Sequence, residues 1–401
     1  MDEVSSVKEL SGKGDLILAL NSGSSSLKFG VYFRAPSNDG SDNHNEDDEQ
    51  PLLTGSADGI GHSSGSLNIR SADGTSLTHR DHVHESQSDA LTALCTAMRE
   101  HIQNLPVAVG HRIVHGGPKL CTHQRITPRV LDELRLATHF APLHIPQALT
   151  LIASVQSIFP SAAHFACFDD AFHQTMPELA SRLPIPKSYF DAGIRRYGFH
   201  GISYESLVHH FGAKLPRRAI FAHLGNGSSL CALRNGVSID TTMGLTPTGG
   251  IPMGTRSGDL DPGVLLYLSR NAKLSTDELE ALLNHRSGLF ALSGGESDVK
   301  ILEERASSHD NDNDREAALA LDIFAVSVRK MIGAYMALLG GVDLLVFTGG
   351  IGEHSRRIRS AATDGLEQLG LTADKIQIVP TQEERQIARH CRRMMKQSQE
   401  P

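Results

Sequence analysis

The sequence predicts an α/β protein in which one strand–turn–strand construction is built twice. Three observations lead there. "LILALNSGSSSLKFGVY", beginning at residue 16, and "AIFAHLGNGSSLCALRNG", beginning at residue 219, follow one plan: an apolar strand, an Asn/Gly/Ser turn, then Leu and a second apolar strand. Strand-like runs alternate with segments of helical period, as in folds with crossover helices. The length of 401 residues suits two or three domains at roughly 150 residues each.

Taken in order, residues 1–14 read as a polar lead-in, and 16–20 and 27–33 as a hairpin. The segment 35–51, "APSNDGSDNHNEDDEQP", is acidic and poor in apolar residues, and reads as a solvated loop insertion. Residues 86–104 and 128–138 have helical spacing, with "VAVGHRIVH" a strand between them. "AHFACFD" reads as a buried strand ending on an acid, and "RAIFAHL", "SLCALRN" and "GVSID" as a meander from 218 to 240. Helical patterns cover 262–272, 275–284 and 316–339. "DLLVFTGG" (343–350) reads as a strand running into glycines, and 354–369 and 383–396 as closing helices.

Composition narrows the function. A net charge of −8 gives the protein no general attraction for nucleic acid or anionic membrane, so an anionic substrate needs local basic groups. The five cysteines are odd in number and form no C-x-x-C, which points to reduced thiols in a cytosolic compartment. "MDEVSSVKELSGKGD" lacks the apolar core of a signal peptide, and no run approaches the roughly 18 apolar residues of a membrane span.

The chemistry gathers in short glycine-rich stretches. Small residues let backbone approach a ligand closely, and Ser hydroxyls with N–H groups suit phosphate oxygens. A Ser/Gly hairpin without a ligand has the same composition, so "NSGSSSLKFG" alone leaves both readings open. Arg112 ends an apolar strand beside two glycines in "GHRIVHGG", where a guanidinium can hold a planar carboxylate or a phosphoryl group by paired hydrogen bonds. A structural Arg–Asp pair is the alternative. Arg256 lies among turn residues in "MGTRSGDLDPG", His200 in "YGFHG", and Asp169 at a strand end, where α/β folds place ligand-facing groups.

"NSGSSSLKF", "GHRIVHGG", "APLHIP", "FDDAFH", "YGFHG", "HLGNGSS", "MGTRSGDLDPG", "FTGGIGE" and "PTQEE" occur in the order found in the acetokinase family, which the chain resembles from about residue 16 to 392. The resemblance implies two duplicated ribonuclease-H-like domains with an interdomain nucleotide cleft, in the actin-like ATPase superfamily. It divides the chain into a lead-in (1–14), an N-terminal domain (15–170), a C-terminal domain (171–382) and a helix (383–401) packing back on the N-terminal domain.

It further implies reversible transfer of a phosphoryl group from ATP to acetate, giving acetyl phosphate and ADP in a cytoplasmic homodimer that needs neither nucleic acid nor membrane. Propionate or butyrate is the nearest alternative acceptor, and a non-catalytic nucleotide-binding module the remote one. The resemblance casts Asp169, His200 and Arg256 as catalytic, and Arg112 with the apolar Val114, Leu143, Phe199 and Pro247 as the acceptor site. The nucleotide falls to Lys28, to the turn His223, Leu224, Gly225, Asn226 and Gly227, to Asp298, Val299 and Lys300, and to Gly350, Ile351, Gly352, Glu353 and His354. Asn21 and Glu383 lie near Mg2+, for which Mn2+ can substitute. Acetic acid, with a pKa near the 4.3 of a Glu side chain, is already ionised at pH 7. Asp169 is therefore expected to orient groups rather than to remove a proton.

Four positions depart from the family's usual pattern: Lys300 stands for Arg, His354 for Asn, Tyr204 for His and Ile145 for Asn. The first two fall on the nucleoside side and predict altered discrimination among phosphoryl donors.

Overall fold

The computed structural model describes residues 15–23, 25–33, 49–308 and 312–397. The chain divides into two compact units, 1–171 with 382–401, and 172–381. Among the described residues no helix is long and apolar enough to cross a membrane.

The first unit is built on an eight-stranded sheet. Its strands are β1 (Leu16–Ser22), β2 (Ser26–Phe33), β3 (Gln50–Asp58), β4 (Ser66–Ser71), β5 (Ser76–Asp81), β6 (Ala108–Ile113), β7 (Gln124–Arg125) and β8 (Ala163–Phe168). They lie in the order β5-β4-β3-β2-β1-β6-β8-β7. The meander β1 to β5 is antiparallel, and β1-β6-β8 is parallel. β1 is apolar on both faces, as a central strand must be. Helix Gln87–Arg99 closes one face, burying Leu91, Leu94 and Met98 among Leu16, Leu18, Leu27 and Phe29.

Helix Glu383–Gln397 belongs to this unit too. Ile387, Ala388, Cys391 and Met394 repeat at helical spacing and are buried. Close approach is possible because β6 carries Gly110: a Cβ there would lie 2.3 Å from Ile387 Cγ2 and 2.6 Å from Cys391 Sγ.

The second unit has a five-stranded sheet in the order β11-β10-β9-β12-β13, from β9 (Arg218–Leu224), β10 (Ser228–Arg234), β11 (Val237–Thr241), β12 (Leu344–Thr348) and β13 (Ile376–Ile378). Again a three-stranded antiparallel meander continues into two parallel strands. Helix Asp312–Leu339 packs Phe324, Val328 and Ile332 against Ile220, Leu230 and Phe347 on one face of the sheet. Tyr204, from helix Gly201–Phe211, joins Phe221, Leu233 and Val346 on the other.

Three expectations need correction. Residues 354–369 form no single helix: Gly349–His354 and Arg356–Thr363 are separate, because Ser355 leaves helical geometry and its hydroxyl caps the second helix at Ile358 N. Residues 35–48 of the acidic insertion lie outside the described residues, but its end is not solvated loop. Glu49 is buried and ion-paired with Arg392, and residues 50 and 51 open β3. His223 and Leu224, expected in a turn, are the last residues of β9.

Candidate active site

In the first unit, parallel pairing sets the site. β1 pairs with β6 at Leu20 and His111, and β6 with β8 at Ile113 and Phe168, so the strand ends deliver Asn21, Arg112 and Asp169 side by side. Arg112 Nη2 donates to Asp169 Oδ2 at 2.6 Å. Its Nη1 donates to Asn21 Oδ1 at 3.2 Å and to the Ser22 carbonyl at 3.3 Å. Burial opposes the Arg112 charge, but Asp169, Glu383 and Glu384 outweigh it and keep the guanidinium protonated. Arg112 Nε is buried and meets no acceptor among the described residues.

Asn21 also links this cluster to the helix from the end of the chain. Its Nδ2 donates to Glu383 Oε2 at 2.6 Å and to Glu384 Oε1 at 2.9 Å. The amide orientation follows from its partners, since reversing it would set oxygen against two carboxylates. Burial and then the adjacent Glu383 charge push the Glu384 carboxyl above its usual range. Lys28 sits opposite Asn21 across the hairpin, and its charge acts the other way on Glu384. Like charges held together against burial, with only oxygen donors, suit a hard divalent cation such as Mg2+.

Asp170, next to Asp169, has a different task. Its Oδ2 accepts from Gly116 N at 3.2 Å and lies 3.0 Å from His115 Nδ1, fixing the "VHGG" loop. The two acids are distinguished by strand alternation.

In the second unit the parallel pair β9 and β12 aligns His223 with Thr348. The turn 225–227 and the Gly349 backbone thus emerge together. A Cβ on Gly349, whose φ is +78°, would lie 2.7 Å from the Leu224 carbonyl, so glycine is required there. Gly225 N–H points inward, to the Gly227 carbonyl at 3.1 Å and to Ser228 Oγ at 3.2 Å. It closes the turn.

A Cβ on Gly227 would lie 3.2 Å from His200 Nε2 and 3.5 Å from Arg256 Nη1, so this glycine marks where the two side chains meet. Arg256 Nη1 is oriented by the Pro247 carbonyl at 3.1 Å. His200 caps helix Gly201–Phe211 in a left-handed conformation (φ 61°), rare for a residue with a side chain. Its ring stacks on His223 with centroids 4.3 Å apart, and Nδ1 meets Ser229 Oγ at 2.8 Å. Ser229 in turn meets Tyr204 hydroxyl at 2.5 Å. Sequence reasoning noted Tyr204 only as a departure and missed Ser229. Tyr204 follows Gly201 by three residues and Ser229 follows Gly227 by two, and that spacing carries no signal of contact until helix and strand are packed.

Of the remaining expected residues, Val114 and Leu143 are half-buried in the first unit, and Phe199 and Pro247 buried in the second. Lys300 and His354 are exposed. The Lys300 amide caps onto Asp298 Oδ1 at 2.8 Å, and Glu353 Oε1 accepts from Gly349 N at 2.9 Å.

Two sheets that share a five-strand order, each opening at its parallel strand ends onto a glycine-bearing turn flanked by charged side chains, define a duplicated α/β fold of the actin-like ATPase type. The chain belongs to the acetokinase family, whose model matches residues 16–395. It is 39% identical over 404 residues to the acetate kinase of Nitrobacter hamburgensis, covering 94% of this chain and 95% of that one. It is likewise 39% identical over 414 residues to the propionate kinase of Yersinia enterocolitica, covering 96% and 97%. Among solved structures, a propionate kinase from Francisella tularensis superposes with a TM-score of 0.81 at 33% identity, over 95% of this chain and all of that one.

Proposed function

We propose that the chain is a carboxylate kinase that transfers the γ-phosphoryl group of ATP to acetate, reversibly, giving acetyl phosphate and ADP. The observation that carries this reading is Arg112 at the strand ends: Asp169 and Asn21 fix its guanidinium while the side chain keeps 13% exposure. A substrate carboxylate would meet that exposed part. The same planar geometry suits the acyl phosphate in reverse.

An acetate oxygen attacks the γ-phosphorus as the bond to the ADP oxygen breaks. Acetate is ionised at neutral pH, so no base is required. Asp169 holds the guanidinium in place and leaves it cationic. In the second unit Arg256 offsets charge on the transferring group, the role an arginine finger plays in other phosphoryl transfers. Ser229 Oγ joins the Tyr204 hydroxyl to His200 Nδ1 and fixes the ring, so that Nε2 lies beside Gly227, and with its proton there His200 would donate to the same group. The Asn21-bound pair Glu383 and Glu384 would hold Mg2+, which would supply charge neutralisation for the triphosphate. Mn2+ is accepted by the same oxygen donors. Val114, Leu143, Phe199 and Pro247 form the acyl wall, and the stretches 298–300 and 350–354 face the nucleoside. The assembly is a cytoplasmic homodimer.

Propionate is the second reading, favoured by equal identity to a named propionate kinase. Trapping the acyl phosphate as a hydroxamate, with acetate, propionate and butyrate as acceptors, tests both. Acetate should lead in kcat/KM by about 10-fold or more, the discrimination one methylene gives in an apolar pocket. No acyl phosphate from any acceptor overturns the assignment.

A further inference from the structure

Away from these strand ends, the sequence "DHVHESQSD" (81–89) joins β5 to helix Gln87–Arg99 and brings three metal-ligating side chains together. One ligand atom each from His82, His84 and Asp89 lies within 4.8 Å of the other two. The His82 and His84 rings meet edge to face at 4.7 Å. His84 is fully buried, which for an imidazole demands partners at both nitrogens. Nε2 has one, the Ser66 carbonyl at 3.3 Å. A carbonyl only accepts, so the proton is on Nε2 and Nδ1 carries a bare lone pair. No donor meets that lone pair among the described residues. A ring whose outer N–H is tied to backbone while its other nitrogen stays unprotonated is the usual arrangement of a metal-bound histidine. Asp89 is held likewise: Oδ2 accepts from Glu85 N at 3.1 Å, and Ser86 Oγ caps Asp89 N at 3.2 Å.

We propose that His82, His84 and Asp89 form a site for Zn2+ or a similar late first-row divalent ion, completed by water at the fourth position. Two imidazoles and one carboxylate select this class over Mg2+ or Ca2+. A tetrahedral ion at about 2.1 Å from each ligand needs ligand atoms about 3.4 Å apart. His82 is exposed, so its ring closes the remaining gap. The site also reaches the first glycine–serine turn. Gln87, between the ligands in sequence, donates to the Gly23 carbonyl at 2.9 Å, and the His84 carbonyl accepts from Gly61 N at 2.8 Å. A bound ion would steady the segment that holds that turn.

The test uses the full chain, stripped of metal by chelation and kept in excess Mg2+ to occupy oxygen-donor sites. Titration with Co2+ should give one equivalent of ion with the intense visible bands of four-coordination, bleached by Zn2+. His82→Ala, at an exposed position that leaves folding intact, and Asp89→Asn should each weaken binding about 10-fold or more. His285→Ala, on a helix of the second unit, should leave it unchanged. Absence of the bands, or bands that persist in His82→Ala, would overturn the site. Amide exchange at residues 23, 25 and 26 should slow when Zn2+ is added to the natural protein and not to His82→Ala. Equal exchange in both would overturn the link to the turn.

Discussion

The two units share a strand order and differ at the strand ends. In the first, β3-β2-β1-β6-β8, and in the second, β11-β10-β9-β12-β13, three antiparallel strands continue into two parallel ones. The first gathers formal charge: Arg112, Asp169, Glu383 and Glu384 around Asn21. The second brings His200 and Arg256 together at Gly227, beside a turn whose first N–H is already used. Topology fixes where ligands are met, because parallel strands end together. What is met depends on the loops and helices delivered there, and the first unit takes Glu383 and Glu384 from a helix that follows the second in sequence.

The largest expected effect separates the two ends by kinetics. Arg256→Ala should lower kcat by about 10³-fold or more, as loss of an arginine contact does in phosphoryl transfer. Arg112→Ala should lower kcat and also raise KM for acetate, because it removes the carboxylate's partner. Steady-state rates over a range of acetate and ATP concentrations distinguish the two. Equal KM changes for both substrates in both variants would erase the division of labour.

The next effect is confined to the first unit. Burial, reinforced by the His164 charge, pushes His111 down to about 3 from an ordinary 6.5. The unfolded chain therefore binds the extra proton first as pH falls. The stability that neutral His111 contributes is complete above about pH 6.5 and is lost progressively toward pH 3, by about 1.4 kcal/mol per pH unit at most. Urea unfolding at several pH values should show that slope, and His111→Asn should flatten it. Amide exchange should place the acid-sensitive opening in residues 108–113 and 163–168.

Gly110→Ala should cost about 1–3 kcal/mol by overpacking against Ile387 and Cys391. It should also raise the Mg2+ requirement, since Glu383 and Glu384 ride on the displaced helix. A variant that is destabilised with an unchanged Mg2+ dependence would separate the helix from the ion. The smallest effect is in the second unit: Tyr204→Phe removes one hydrogen bond to Ser229, worth about 1 kcal/mol. It should reduce kcat several-fold and shift the pH–rate profile, a readout that lost packing alone would not move.

The repeated strand–turn–strand was plain in the sequence because both copies keep apolar strands beside small turn residues. Arg112 and Asp169 stood out at strand ends, whereas the roles of His200 and Arg256 rested on the family resemblance. The extension β3–β5 was not legible: "SLNIRS" and "SLTHRD" carry too few apolar residues to announce a sheet edge. Glu49 was read as solvated because its partner, Arg392, lies 343 positions away. The support of His200 by Ser229 and Tyr204 was hidden for the same reason, since a helix face and a strand face share no local pattern.

Helix Glu383–Gln397 also sets an order of events during translation. Asn21 and Glu383 are 362 residues apart, and the whole second unit, 172–381, is synthesised between them. At about 5–20 residues per second, those residues take roughly 10–40 s to leave the ribosome. Through that interval the nascent first unit has Gly110 uncovered and Arg112 without its nearby glutamates, so the chain gains its carboxylate pair only after the second unit has been made.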